Sequence, residues 1–229
     1  MSLVKEMDNL MEGEKFLRQL DFFDPRKHNV PVHIVGAGGI GSFAALALAK
    51  LGLTNINVYD FDTVEAHNQP NQLFGPDDVG DLKVSALRAI VGDLTGTYIN
   101  DTKVRVEGAR DLVHPDGILI AAVDSMAARR LAYDGATQSP GVRFFIDGRL
   151  GGEVIKVLCC EPRKDCADYE ATLHDDATAA ELPCTRQVVI DVAFFMAAMI
   201  TRAVRRYLVL DQYEPEVVLD VANSEFLTL

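Results

Sequence analysis

The chain has 229 residues, 48% of them hydrophobic, which is enough for one sizeable core and too few for two ordinary domains with linkers. Its 22 basic and 34 acidic residues leave a formal net charge of -12, so phosphate backbones and anionic membrane surfaces are repelled at long range and are not expected as main partners. The start, MSLVKEMDNLMEGEKF, lacks the apolar core of a signal peptide, and the longest apolar stretch (residues 188–200) contains Asp191 and falls short of the ~20 residues of a membrane span, so a soluble cytoplasmic protein is expected.

In chain order, residues 5–21 have the apolar spacing of an amphipathic helix, and residues 24–29 read as a loop. Val32-His33-Ile34-Val35 predicts a buried central strand; His33 there suits a satisfied core residue better than a ligand. Residues 42–51 predict a tightly packed helix ended by Gly52, and 55–61 a second strand. A helix over 77–93, a strand over 103–107, a buried strand over 117–123 and a helix over 126–138 follow. Strands are then expected at 142–147 and 153–159, a long helix at 188–208 and a final edge strand at 216–220. This alternation predicts one α/β domain over 1–229: a Rossmann-like, mostly parallel sheet with helices on both faces and mixed strands toward the C-terminus. A charged crossover, about 161–187, is the one long irregular connection.

Gly36-Ala37-Gly38-Gly39-Ile40-Gly41 fits GxGxxG between a strand and a helix. Gly36 permits the tight turn, Gly38 admits a phosphate to the backbone, and Gly41 lets the helix pack close. The helix N-terminus adds free N–H groups and partial positive charge. Asp60 ends the second strand, where a carboxylate meets ribose hydroxyls. Up to this point NAD and ATP fit equally. A dense polar stretch follows, with Asp62, Asn68, Asn71, Gln72 and then Lys83, and it suits the several anionic oxygens of a triphosphate. Asp124, just past the third buried strand, sits at the sheet's ligand-binding edge and can hold Mg²⁺ against phosphates.

The order GxGxxG, DFDTVE, HNxxxQ, DVGxxKV and VDSxxAR resembles the ThiF/MoeB family, bacterial relatives of ubiquitin-activating enzymes. The resemblance implies that Gly36, Gly38, Gly39 and Gly41 lie under ATP, that Asp60 binds ribose, and that Asp62 supports that loop. It further implies that Asn68, Gln72 and Lys83 hold phosphates, that Asp124 is the Mg²⁺-linked aspartate, and that Arg129 is the motif's arginine. Phe16-Leu17-Arg18-Gln19-Leu20 is similar to an N-terminal motif whose arginine enters the partner subunit's site, which implies a homodimer; a solvated helix residue is the other reading of Arg18.

Two departures stand out. Asn71 occupies the place of an arginine that touches the phosphates, which removes charge-assisted bonds from the transition state. The paired CxxC motifs that often bind zinc in the family are absent, and no zinc is expected from the four cysteines, Cys159, Cys160, Cys166 and Cys184. Cys184, just before the long apolar helix and beside Arg186, has two readings: an activated thiol that takes an acyl group as a thioester, or a small buried residue. The expected reaction is ATP·Mg²⁺-dependent adenylation of the C-terminal carboxylate of a ubiquitin-like or sulfur-carrier protein with a Gly-Gly tail. Asp124, Lys83, Arg18 and Cys184 are its expected catalytic set. The alternatives are an NAD-dependent oxidoreductase and a degenerate nucleotide-binding subunit without activity.

Overall fold

The computed structural model describes residues 14–112, 115–164, 166–174 and 189–228. Eight strands form one sheet: β1 (Val32–Val35), β2 (Ile56–Asp60), β3 (Asn100–Lys103), β4 (Asp116–Ala121), β5 (Gly141–Gly151), β6 (Val154–Cys160), β7 (Glu216–Asp220) and β8 (Glu225–Thr228). Their order is β3-β2-β1-β4-β5-β6-β7-β8. The first five are mutually parallel and the last three are added antiparallel, as the sequence predicts for fold class.

The helices are α1 (Pro25–His28), α2 (Gly41–Leu51), α3 (Lys83–Thr95), α4 (Met126–Gln138), α5 (Ala167–Glu170) and α6 (Ile190–Leu210). Side-chain alternation along the buried strands divides the core between the two faces of the sheet. Ile118 and Ile120 of β4 pack with α2, α3 and α6, while Leu119 and Ala121 pack with α4 and α5. Strands buried on both sides read as unbroken apolar runs, which is why β1 and β4 were legible.

Several boundaries differ from expectation. Residues 5–13 of the expected N-terminal helix lie outside the described residues; farther on, the chain makes a 3₁₀ turn at Leu17–Gln19. The expected loop at 24–29 contains α1, which Asp24 caps by accepting the Arg26 N–H at 3.1 Å. α3 begins at Lys83 rather than at residue 77, because Gly80 takes φ 98° and Leu82 bridges back to Thr63. The third parallel strand is Asn100–Lys103; the apolar alternation at 104–107 belongs instead to a segment beyond the sheet. Glu216–Asp220 is a strand but not the edge, which is β8. No helix among the described residues is long and apolar enough to cross a membrane.

Candidate active site

The strand order reverses between β1 and β4, whose following loops leave the carboxyl edge of the sheet in opposite directions and open a crevice. A cleft of about 680 Å³ fills it. The glycine loop forms its floor. Gly36 has φ 99°, and a Cβ there would stand 2.4 Å from the Ala122 carbonyl oxygen. Gly41 does not line the cleft; a Cβ on it would stand 1.8 Å from the Gly36 carbonyl oxygen, so its role is close packing.

Asp60 is keyed into this loop. Its Oδ2 accepts the Ala37 N–H at 2.6 Å, and its Oδ1 accepts the Asp62 N–H at 2.8 Å. A carboxylate has about four lone-pair sites, so Asp60, which lines the cleft, keeps capacity for a ribose hydroxyl. Starting α3 at Lys83 brings this lysine into the cleft, where Nζ lies 3.2 Å from Asp62 Oδ2. Asn71 and Gln72 also line it, and their buried Oδ1 and Oε1 atoms have no hydrogen-bond partner among the described residues. Polar atoms stranded beside a glycine floor are what a polar ligand would satisfy.

Asn68 does not line the cleft. It is buried, and its Oδ1 accepts the Glu65 N–H at 2.8 Å, capping a 3₁₀ turn over Ala66–Asn68. Its geometry therefore supports a role in shaping the loop that delivers Asn71 and Gln72, in place of the phosphate contact expected for it. Arg18 is exposed and outside its own chain's cleft. Cys184 and Arg186 lie outside the described residues.

Asp124 is exposed at the cleft and makes no hydrogen bond or ion pair with another described residue. The turn that carries it is well fixed: the Ala122 N–H donates to the Val35 carbonyl at 2.8 Å, and Ser125 caps α4 by accepting the Ala128 N–H at 3.2 Å. Among the described residues no three His, Cys, Asp or Glu side chains gather as a metal cage. A Mg²⁺ carried by a nucleotide needs only one or two carboxylates besides phosphate oxygens, so a carboxylate without a partner among the described residues fits.

Further residues complete the walls, of which Phe61 and Arg105 were not foreseen. Phe61 lies under the Arg105 guanidinium, 3.9 Å from the ring centre, and both face the cleft. The signal that could have found Arg105 is topological, since a loop after any parallel strand leaves by the ligand-binding edge. Arg129 also lines the cleft and is held from behind by Asp147, Gly148 and the Val123 carbonyl.

The remaining thiols are placed by strand alternation. Cys159 faces the core on the α6 side, and Cys160 faces the α4 side with Cys166. Burial pushes both the Cys159 and Cys160 thiols far above their ordinary range. In a Cys184→Ser chain, the three described cysteines should resist a thiol reagent at pH 8 until denaturant is added. Rapid stoichiometric labelling of the native chain would refute this.

The ThiF family profile matches residues 20–220. Ubiquitin-like modifier-activating enzyme 5 of Oryza sativa subsp. japonica is 27% identical over 195 residues, covering 72% of this chain and 46% of the relative. Adenylyltransferase and sulfurtransferase MOCS3 of Anopheles gambiae is 36% identical over 107 residues, 45% of this chain and 24% of the relative. The chain thus spans less than half the length of each. Among solved structures, E. coli MccB with ATP superposes with a TM-score of 0.70 at 18% identity, covering 89% of this chain and 64% of that one. PaaA superposes with a TM-score of 0.76 at 20% identity, covering 96% and 73%. At such identities the structural likeness establishes the fold.

Proposed function

The chain belongs to the ThiF family, and from that premise we propose that it is an adenylyltransferase acting on the C-terminal carboxylate of a ubiquitin-like or sulfur-carrier protein. One observation carries the proposal: a glycine floor, the Lys83–Asp62 pair, the unsatisfied Asn71 and Gln72 amide oxygens, and Asp124, which has no partner among the described residues, converge on one crevice. Relatives named as adenylyltransferases or modifier-activating enzymes, and a related fold solved with ATP, support it.

In the proposed reaction ATP lies over Gly36, Gly38 and Gly39, with its ribose toward Asp60. A carboxylate oxygen of the partner's tail attacks the α-phosphorus. The new O–P bond forms as the bond to the β-phosphate oxygen breaks, and its electron pair leaves with pyrophosphate. Lys83 is placed to neutralise charge on the phosphates, with Asp62 holding its ammonium in position. Mg²⁺ held by Asp124 would supply further neutralisation when bound. Arg129, buried except toward the cleft, takes part of the duty for which Asn71 offers no charge. A Gly-Gly tail, a homodimer with Arg18 reaching the partner's cleft, and acyl transfer to Cys184 complete the proposal.

ATP–pyrophosphate exchange is the test. With a Gly-Gly-ended carrier protein, the chain should return labelled pyrophosphate to ATP, and deletion of the terminal glycines should abolish exchange. Exchange with none of the Gly-Gly-ended proteins, or NADH turnover in its place, would sink the proposal.

A further inference from the structure

Asp147 is completely buried on β5, in register with Ala121, the last residue of β4. Its carboxylate takes two guanidiniums and a phenol. Oδ1 accepts from Arg129, while Oδ2 accepts the Arg149 Nε–H at 2.7 Å and the Tyr169 hydroxyl at 3.2 Å. Each arginine then reaches onward. Arg129 donates to the Gly148 carbonyl at 2.8 Å and to the Val123 carbonyl at 2.6 Å. Arg149 donates to the Thr172 hydroxyl at 2.8 Å and to the Thr172 carbonyl at 3.2 Å.

A buried ion cluster adds little stability over a well-packed apolar one, because desolvation consumes most of the attraction. What it supplies is geometry. A guanidinium is a planar fork, and Arg129 spends its donors on three separate acceptors that fix it in one orientation. One of those acceptors is the carbonyl of the residue directly before Asp124. Two guanidiniums against one carboxylate also leave a surplus positive charge, and Arg129 presents it to the cleft.

We propose that Asp147 is a positioning residue: its carboxylate aims Arg129 at the Val123 carbonyl and thereby sets Asp124 in the cleft. Through Arg149 the same carboxylate ties this turn to the Tyr169–Thr172 segment, so the wall behind the nucleotide and the approach to the crossover move as one unit. The inference rests on the adenylation proposal for its chemical meaning, and its geometry stands apart from it.

The full chain carrying Asp147→Asn is titrated with ATP in Mg²⁺ and again in EDTA, with amide hydrogen exchange followed at residues 122–125. The expected result is metal-free ATP binding close to wild type, an apparent Mg²⁺ affinity lower by about 10- to 100-fold, and faster exchange at 123–125. Because the substitution leaves two guanidiniums facing a neutral amide, Arg129→Lys is measured beside it. Lysine keeps the charge but cannot reach Asp147, Gly148 and Val123 together, so the lowered Mg²⁺ affinity and the faster exchange at 123–125 are expected again. Wild-type Mg²⁺ dependence and wild-type exchange in either folded variant overturn the inference. So does a loss of metal-free binding that merely follows a lowered Tm, which is what a structural cluster alone would produce. A wild-type chain that binds no ATP sinks the adenylation proposal instead, and exchange at 123–125 then decides the positioning role.

Discussion

Replacing Asp124 by alanine should reduce ATP–pyrophosphate exchange by on the order of 10²- to 10³-fold, the size of effect seen when one preorganised charge-stabilising group is lost. The effect should fall on turnover rather than on folding. Asp124 is exposed and bonds to no other described residue, and its turn is held by Ala122, Ser125 and Arg129, which the substitution leaves in place. Melting of the variant should therefore match wild type. Metal-free ATP binding should be unchanged or slightly tighter, since a negative charge beside the phosphates is gone. Exchange within a few-fold of wild type would mean that Asp124 does not hold the metal.

Gly41→Ala should be the most damaging single methyl in the chain's nucleotide loop. The added Cβ would stand 1.8 Å from the Gly36 carbonyl oxygen and 2.9 Å from its carbon. The obstacle is backbone, so no side-chain rotation relieves it, and either α2 or the loop must move. A cost of about 3 kcal/mol or more is expected, at the upper end of overpacking effects. Displacing Gly36 also shifts the floor under the phosphates, so ATP affinity should fall by at least an order of magnitude. Gly80→Ala is the control. Unlike Gly41 it has a positive φ, at 98°, but nothing lies within 4 Å of its Cβ position, so only the left-handed backbone penalty of ~1–2 kcal/mol applies. Urea denaturation of the two variants should rank them in that order; equal costs would show that α2 does not press on the loop.

The glycine loop, β1, β4, α4 and the place of Asp60 at the end of β2 were all legible because each is written in contiguous residues. An apolar run between glycines, a GxGxxG junction or a capped amphipathic segment reflects interactions within a few positions. The same locality explains the misplaced third strand. Val104 and Val106 alternate like a strand, yet the sheet pairing is made by Asn57–Asp60 with Asn100–Lys103, and the valines pack on the core past the sheet edge. Asn68 misled for a similar reason. Its motif neighbours Asn71 and Gln72 reach the cleft, while its own side chain is spent capping the turn that carries them.

By itself, then, the sequence determined the α/β architecture, the glycine loop and the acid at the end of β2, since strand and helix periods and glycine geometry are local properties. Only the tertiary structure decided which distant residues meet. It brought Arg105 onto Phe61, sent Cys159 and Cys160 to opposite faces of the sheet, and joined Arg129, Asp147, Arg149 and Tyr169 behind Asp124. Those meetings depend on the strand order, with β5 laid beside β4 and β6 turned back against it. A buried carboxylate between two guanidiniums has no spacing signature, because its cost and its geometry exist only once the sheet has closed water out around it.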